Sequence, residues 1–206
     1  MTENDDHDWN EFYALTSDSP PWPTLLYALD SFDQEQGNLP KVSVDLGSGA
    51  GRDTIALLKR GWEVLAIDAQ PESAQWLEKK VSNDLQDKLT TLSKPFEEVT
   101  LPTTTLVNAS YSLPFCAASE YDGLWEKIIN GILSGGRFSG HFFGDNDQWA
   151  HKPLLDSPTY HQTRAQVEDL FQAFEIEYFD ERDEDGTVAD GTPKHWHIFS
   201  VVAKKK

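Results

Sequence analysis

The chain has 206 residues, 38% of them hydrophobic and 12% aromatic, which is enough for one core and too apolar for disorder throughout. A formal net charge of −18 opposes the phosphate neutralisation that nucleic-acid binding needs and equally disfavours an anionic membrane. The single cysteine, Cys116, excludes an internal disulfide, and with no apolar run of spanning length and no signal-like basic start the expected location is the cytoplasm.

In chain order, residues 1–8 are polar and acidic and read as a frayed end. Trp9, Phe12, Tyr13 and Leu15 form an apolar cluster, Ser19 to Pro23 interrupts any helix with prolines, and Thr24 to Leu29 resumes a helical pattern that stops at a polar link. Tyr13 and Trp22 suit either an extra helix covering a sheet or a segment closing over a ligand. Val42, Val44 and Leu46 then read as a buried strand, Gly47, Gly49 and Gly51 as a turn, and Ile55 to Leu58 as the start of a helix. Such a turn lets a ligand lie against the backbone, and the helix after it offers unpaired N–H groups. The nicotinamide fingerprint is G-x-G-x-x-G, whereas the third glycine here comes one residue early and Arg52 stands in the late position. Asp45, directly before the strand's last residue, would repel a pyrophosphate but suits a cationic ligand.

Gly61 to Asp68 reads as a second strand ending in an acid, followed by Ala69 and by a helix that opens at Pro71. Leu89 to Leu92 is a third strand and Pro95 to Val99 a loop. Thr103 to Phe115 is a fourth strand with the loop leaving its carboxyl end, where open α/β sheets bind ligands, so Asn108, Ser110, Tyr111 and Phe115 stand near a substrate. A helical stripe from Leu124 to Leu133 ends at Ser134, Gly135 and Gly136, and Arg137 to Gly144 is the fifth strand. His141 within it reads first as a hydrogen-bonded core histidine and second as a base. Thr163 and Gln166 form a capping box, with Val167, Leu170, Phe171 and Phe174 as the stripe of the last helix. Two strands, 174–179 and 196–202, follow, joined by a polar loop that returns Lys194, His195 and Trp196 to the ligand edge. The acidic run from Glu181 to Gly186 fails as a calcium loop because Thr192 holds the twelfth position, and no metal site is expected.

The run Asp45-Leu46-Gly47-Ser48-Gly49-Ala50-Gly51, with Asp68 ending the next strand, resembles the class I S-adenosylmethionine-dependent methyltransferases. The aromatic amino terminus and the ending His195-Trp196-His197 are similar to the small tellurite-resistance and thiopurine type. The resemblance implies a Rossmann-like α/β fold: a mostly parallel sheet, helices on both faces and an antiparallel last strand. It implies a single domain over 1–206, with 1–38 as a cap segment and 39–206 as the cofactor-binding core. It further implies S-adenosylmethionine as cofactor, held by Asp45, Gly47, Ser48, Gly49, Gly51, Asp68, Ala69, Phe96, Glu97 and Asn108, with Asp68 on the ribose hydroxyls and Phe96 and Glu97 at the adenine. Asn108 to Tyr111 lacks the paired prolines of enzymes that methylate nucleic-acid bases, so the expected acceptor is a small molecule. Tyr111, His141 and His195 are the candidate bases. A nicotinamide-dependent oxidoreductase and a non-catalytic interaction protein with the same fold stand as alternatives.

Overall fold

A computed structural model describes residues 9–35, 37–153 and 158–206, the side chain of Glu97 apart; the polar start lies outside them. After α1 (Trp9–Thr16) and α2 (Pro23–Glu35), the chain alternates β1 (Val42–Leu46), α3 (Arg52–Lys59), β2 (Glu63–Asp68), α4 (Pro71–Lys80), β3 (Leu89–Ser93) and β4 (Thr104–Ala109). It continues with α5 (Tyr121–Gly131), β5 (Ile132–Gly144), α6 (Gln148–His151), β6 (His161–Gln162), α7 (Arg164–Leu170), β7 (Phe174–Thr187) and β8 (Pro193–Lys205).

The strands lie in the order β3-β2-β1-β4-β5-β8-β7, with β6 beside the end of β5. Neighbours from β3 to β5 pair in parallel, and β8 is antiparallel to β5 and β7. Because helices cover both faces, the central strands are buried on both sides, and every residue of β4 is buried, the polar Thr104, Thr105 and Asn108 included. On one face Leu25 and Leu29 of α2, Leu57 and Leu58 of α3 and Leu77 of α4 pack with Val64, Ala66 and Leu106. On the other, Trp125 and Ile128 of α5 and Val167 of α7 pack with Val44, Val107, Phe138 and Phe142. Leu25, Ala28 and Leu29 stand at helical spacing i, i+3 and i+4, which is why α2 can give one stripe to the sheet.

Boundaries differ from the sequence expectation at three places. The last helix stops at Leu170, so Phe171 and Phe174 of its expected stripe lie beyond it and Phe174 opens β7. The helix before the fifth strand stops at Gly131, and Ile132 already pairs with Thr104; a register shift follows in which Gly135 takes φ +79°. The last two strands are also much longer than the predicted pair. Residues Glu181 to Thr187 of β7 pair one for one with β8 from Phe199 back to Pro193, so the acidic stretch is strand and the turn shrinks to residues 188–192.

Candidate functional site

The strand order reverses between β1 and β4, and a cavity of about 900 Å³ opens there, outside the carboxyl ends of the strands. Its floor is the glycine turn. Gly47 has φ +73° and a Cβ placed on it would collide with Ser112; one on Gly51, at φ +86°, would collide with Leu77. The turn's amides are spoken for within the chain: Gly47 and Ser48 donate to the Ile67 carbonyl at 2.7 and 3.0 Å, Gly51 to that of Ser48 at 2.9 Å, and Gly49 to Asp68 Oδ2 at 2.8 Å. Four of the turn's five amides are therefore taken by the fold.

What faces the cavity instead is acid. Asp45, next to last in β1, lies beside Asp53, a residue the sequence reading passed over because only tertiary contact brings the first turn of α3 against β1. Thr54 Oγ1 donates to Asp45 Oδ2 at 2.6 Å, and the Asn108 amide bridges the pair, donating to Asp45 at 2.9 Å and Asp53 at 3.0 Å. Asn108 is itself fully buried behind them and does not line the cavity. Burial, with Asp53 adding, pushes the Asp45 carboxyl up to about 7, so the site gains from a cation that would hold it ionised. Asp68 accepts from the Gly49 and Gln70 amides at 2.8 and 2.9 Å and from the Tyr13 hydroxyl at 3.0 Å. Burial nonetheless leaves its carboxyl above the ordinary range. Ser48, Ala69 and Phe96 line the same region; Gly51 lies behind it, and the Glu97 side chain lies outside the described residues.

The N-terminal segment divides the two roles the sequence left open. α2 covers the sheet, while Tyr13 of α1 reaches Asp68 and Trp22 lies over the cavity, its amide donating to Asp53 Oδ1 at 2.9 Å. Arg52 donates from Nε to the Pro20 carbonyl at 2.9 Å and from Nη2 to the same oxygen.

The other end of the cavity is aromatic. Tyr111 sits two residues beyond β4 at φ +56°, a strained conformation for a bulky side chain, with its ring 4.4 Å from that of Trp22. His141 stacks beneath Tyr111 at 4.1 Å and does not line the cavity. Burial, with Arg182 and Arg52 adding, holds its imidazole down to about 3, and its Nδ1 makes no hydrogen bond among the described residues. His195 is also set apart. Strand alternation sends it to the face of β8 away from the cavity, where Asp185 and Asp183 each hold one ring nitrogen at 2.7 Å. Of the three candidate bases, the structure thus brings Tyr111 alone to the cavity, and burial raises its phenol above the usual value. Trp196, on the opposite parity from His195, does line it. Behind Trp196 lies a buried ion pair: Lys194 Nζ stands 2.6 Å from both oxygens of Asp147 and 3.4 Å from the Trp196 ring centroid.

No family model matches the sequence, and no curated protein matches it either. Solved structures do match. TehB from Haemophilus influenzae aligns with a TM-score of 0.71 at 15% identity over 87% of this chain and 62% of that one, so this chain spans less than two thirds of TehB. The Burkholderia thailandensis 1,6-didemethyltoxoflavin-N1-methyltransferase, solved with 1,6-didemethyltoxoflavin and S-adenosylhomocysteine, gives 0.66 at 18% identity over 96% of this chain and 84% of its own. The N-methyltransferase NodS from Bradyrhizobium japonicum, in complex with S-adenosylhomocysteine, gives 0.64 at 14% over 98% and 89%. The fold is that of the class I S-adenosylmethionine-dependent methyltransferases.

Proposed function

We propose that this chain, which has the class I methyltransferase fold, binds S-adenosylmethionine along the β1–β2–β4 edge and transfers its methyl group to a small-molecule acceptor. The observation that carries the reading is the acidic floor: Asp45, Asp53 and Asp68 line the cavity while the glycine-turn amides are used internally. A pyrophosphate would meet carboxylates beside a turn whose own amides are mostly taken; a ligand with an ammonium, a sulfonium and ribose hydroxyls would meet acceptors. That disfavours a nicotinamide cofactor.

On this reading Asp68 accepts from a ribose hydroxyl, Asp45 and the turn at Gly47 to Gly49 hold the amino-acid end, and Ala69, Phe96 and Glu97 border the adenine. Gly51 and Asn108 act from behind, Gly51 by turning the chain into α3 and Asn108 by fixing Asp45 and Asp53 at hydrogen-bond distance. When bound, the cofactor supplies a methyl already activated by its positive sulfur. The chain's own task is to align the acceptor and exclude water. Tyr111 keeps its proton at neutral pH, so it orients by hydrogen bonding, and the rings at that end give the acceptor an apolar wall. Calorimetry should show saturable S-adenosylhomocysteine binding and none of NADH; the reverse preference would remove the proposal. Incubating the protein with isotopically labelled cofactor and a metabolite extract would then find the acceptor.

A further inference from the structure

Six cavity-lining rings form one connected wall. Trp22 meets Tyr111 at 4.4 Å, Tyr111 meets Phe143 at 6.3 Å and Trp196 at 6.2 Å, Phe143 meets Trp149 at 5.6 Å, and Phe115 closes on Trp149 at 6.3 Å. An aromatic box by itself suits a flat ring or a cation. The protein's own charges decide between them, because the wall already has cations against it. The Arg52 guanidinium lies 4.2 Å from the Trp22 centroid, and the Lys194 ammonium lies 3.4 Å from Trp196 and 4.1 Å from Trp149. Lys194 is neutralised by Asp147. The two arginines keep donors to spare. Arg182 lines the cavity and so does Glu184, opposite Trp196, but Arg182 Nε stands 3.7 Å from its carboxylate, beyond hydrogen-bond distance, so Arg182 keeps its donors. Arg52 lines the cavity with Nη1 making no hydrogen bond among the described residues. Both guanidiniums act on Tyr111 in the sense that favours negative charge there.

We infer that the aromatic end of the cavity is the acceptor compartment and takes a planar aromatic anion, its ring against the wall and its negative group on Arg182 and Arg52. The inference rests on the methyl-transfer reading and deepens it. It also accounts for the lack of a histidine among the described residues that line the cavity. An anionic acceptor forms its bond to the methyl carbon as the carbon–sulfur bond breaks and the electron pair goes to sulfur. It has no proton to lose, so no base is required.

The test is calorimetric titration of the full chain with three probes, each with and without S-adenosylhomocysteine: 2-naphthoate, 2-naphthylmethylammonium and cyclohexanecarboxylate. Naphthoate should bind at least about tenfold more tightly than either of the others, as loss of one charge-assisted contact or of ring stacking would give. Arg182→Gln and Arg52→Gln should each weaken naphthoate by about tenfold or more while leaving the cation no weaker. Arg182 is on the exposed ribbon, so its variant should keep the wild-type melting curve. Equal or tighter binding of the ammonium probe, or unchanged naphthoate affinity in Arg182→Gln, would overturn the inference. Failure of naphthoate in a protein that binds S-adenosylhomocysteine overturns the inference alone. Naphthoate binding without S-adenosylhomocysteine binding sustains the aromatic-anion compartment and removes the cofactor reading.

Discussion

Asp68 is a residue with two jobs. Its three hydrogen bonds tie the glycine turn, the start of α4 and the N-terminal segment together, yet a carboxylate has roughly four acceptor positions and one stays open to a ligand. Asp68→Ala should therefore lower the apo melting temperature and also weaken S-adenosylhomocysteine by roughly one to two orders of magnitude, since hydrogen bonds to a charged group contribute about 1.5–3 kcal/mol. Asp68→Asn, which keeps one acceptor oxygen, should lose less of both; apo melts beside titrations check this, and an unchanged affinity in folded Asp68→Ala would take Asp68 out of the site. Asp45 makes a different prediction. Its folded pKa of about 7 lies above the unfolded value of about 3.9, so the folded chain binds the extra proton and the apo protein loses stability as pH rises through that window. A cationic ligand favours the ionised carboxylate, so affinity should climb over the same window. Asp45→Asn should flatten that climb in titrations run across pH.

At the scale of elements, the attachment of α2 rests on a charge buried in β5. Arg137 is fully buried; it donates to Glu177 of β7 at 2.6 and 2.8 Å and to Glu35 at the end of α2 at 2.5 and 3.1 Å, and it lies over the Phe32 ring. Removing one partner of such a cluster costs about 3–5 kcal/mol, and Arg137→Ala should fall toward the lower end because Glu35 can turn to water. Arg137→Met, which fills the space without the charge, should lose less; denaturant unfolding ranks the two. The hydrogen bonds from Arg137, helped by Lys204, draw the Glu35 carboxyl down to about 2. A depressed carboxylate stabilises above its unfolded pKa, so this support is present at neutral pH and is lost as pH falls toward 2. In Arg137→Met the acid limb of the stability curve should be shallower.

For the molecule as a whole, charge dominates. A net charge of −18 on 206 residues repels itself, and salt screens that repulsion, so the melting temperature should rise from low to moderate ionic strength. The long edge strand β7 carries much of the acid outward, at Glu175, Asp180, Asp183 and Asp185, which keeps an unpaired edge from joining another chain. The same surface should prevent appreciable binding of duplex DNA or RNA at physiological salt; a salt-sensitive gel shift would contradict this. Among the described residues no helix is long and apolar enough to cross a membrane.

The order of strands and helices, the glycine turn and the two acids at Asp45 and Asp68 were legible in the sequence because each depends on neighbours a few residues away: alternation, helical spacing, a turn that needs positive φ. The ends of β5, β7 and β8 were not, because a strand continues for as long as its partner does, and the partner of Glu184 is Trp196. The site divides in the same way. Asp53 became part of it only when Asn108, 55 residues away, bridged it to Asp45, and Tyr13 when its hydroxyl reached Asp68 across another 55. Sequence marks His141 and His195 alike as chemically able. Only the tertiary structure separates them from Tyr111, since burial beneath a ring and capture between two carboxylates are properties of contacts between distant segments, set when the sheet closes.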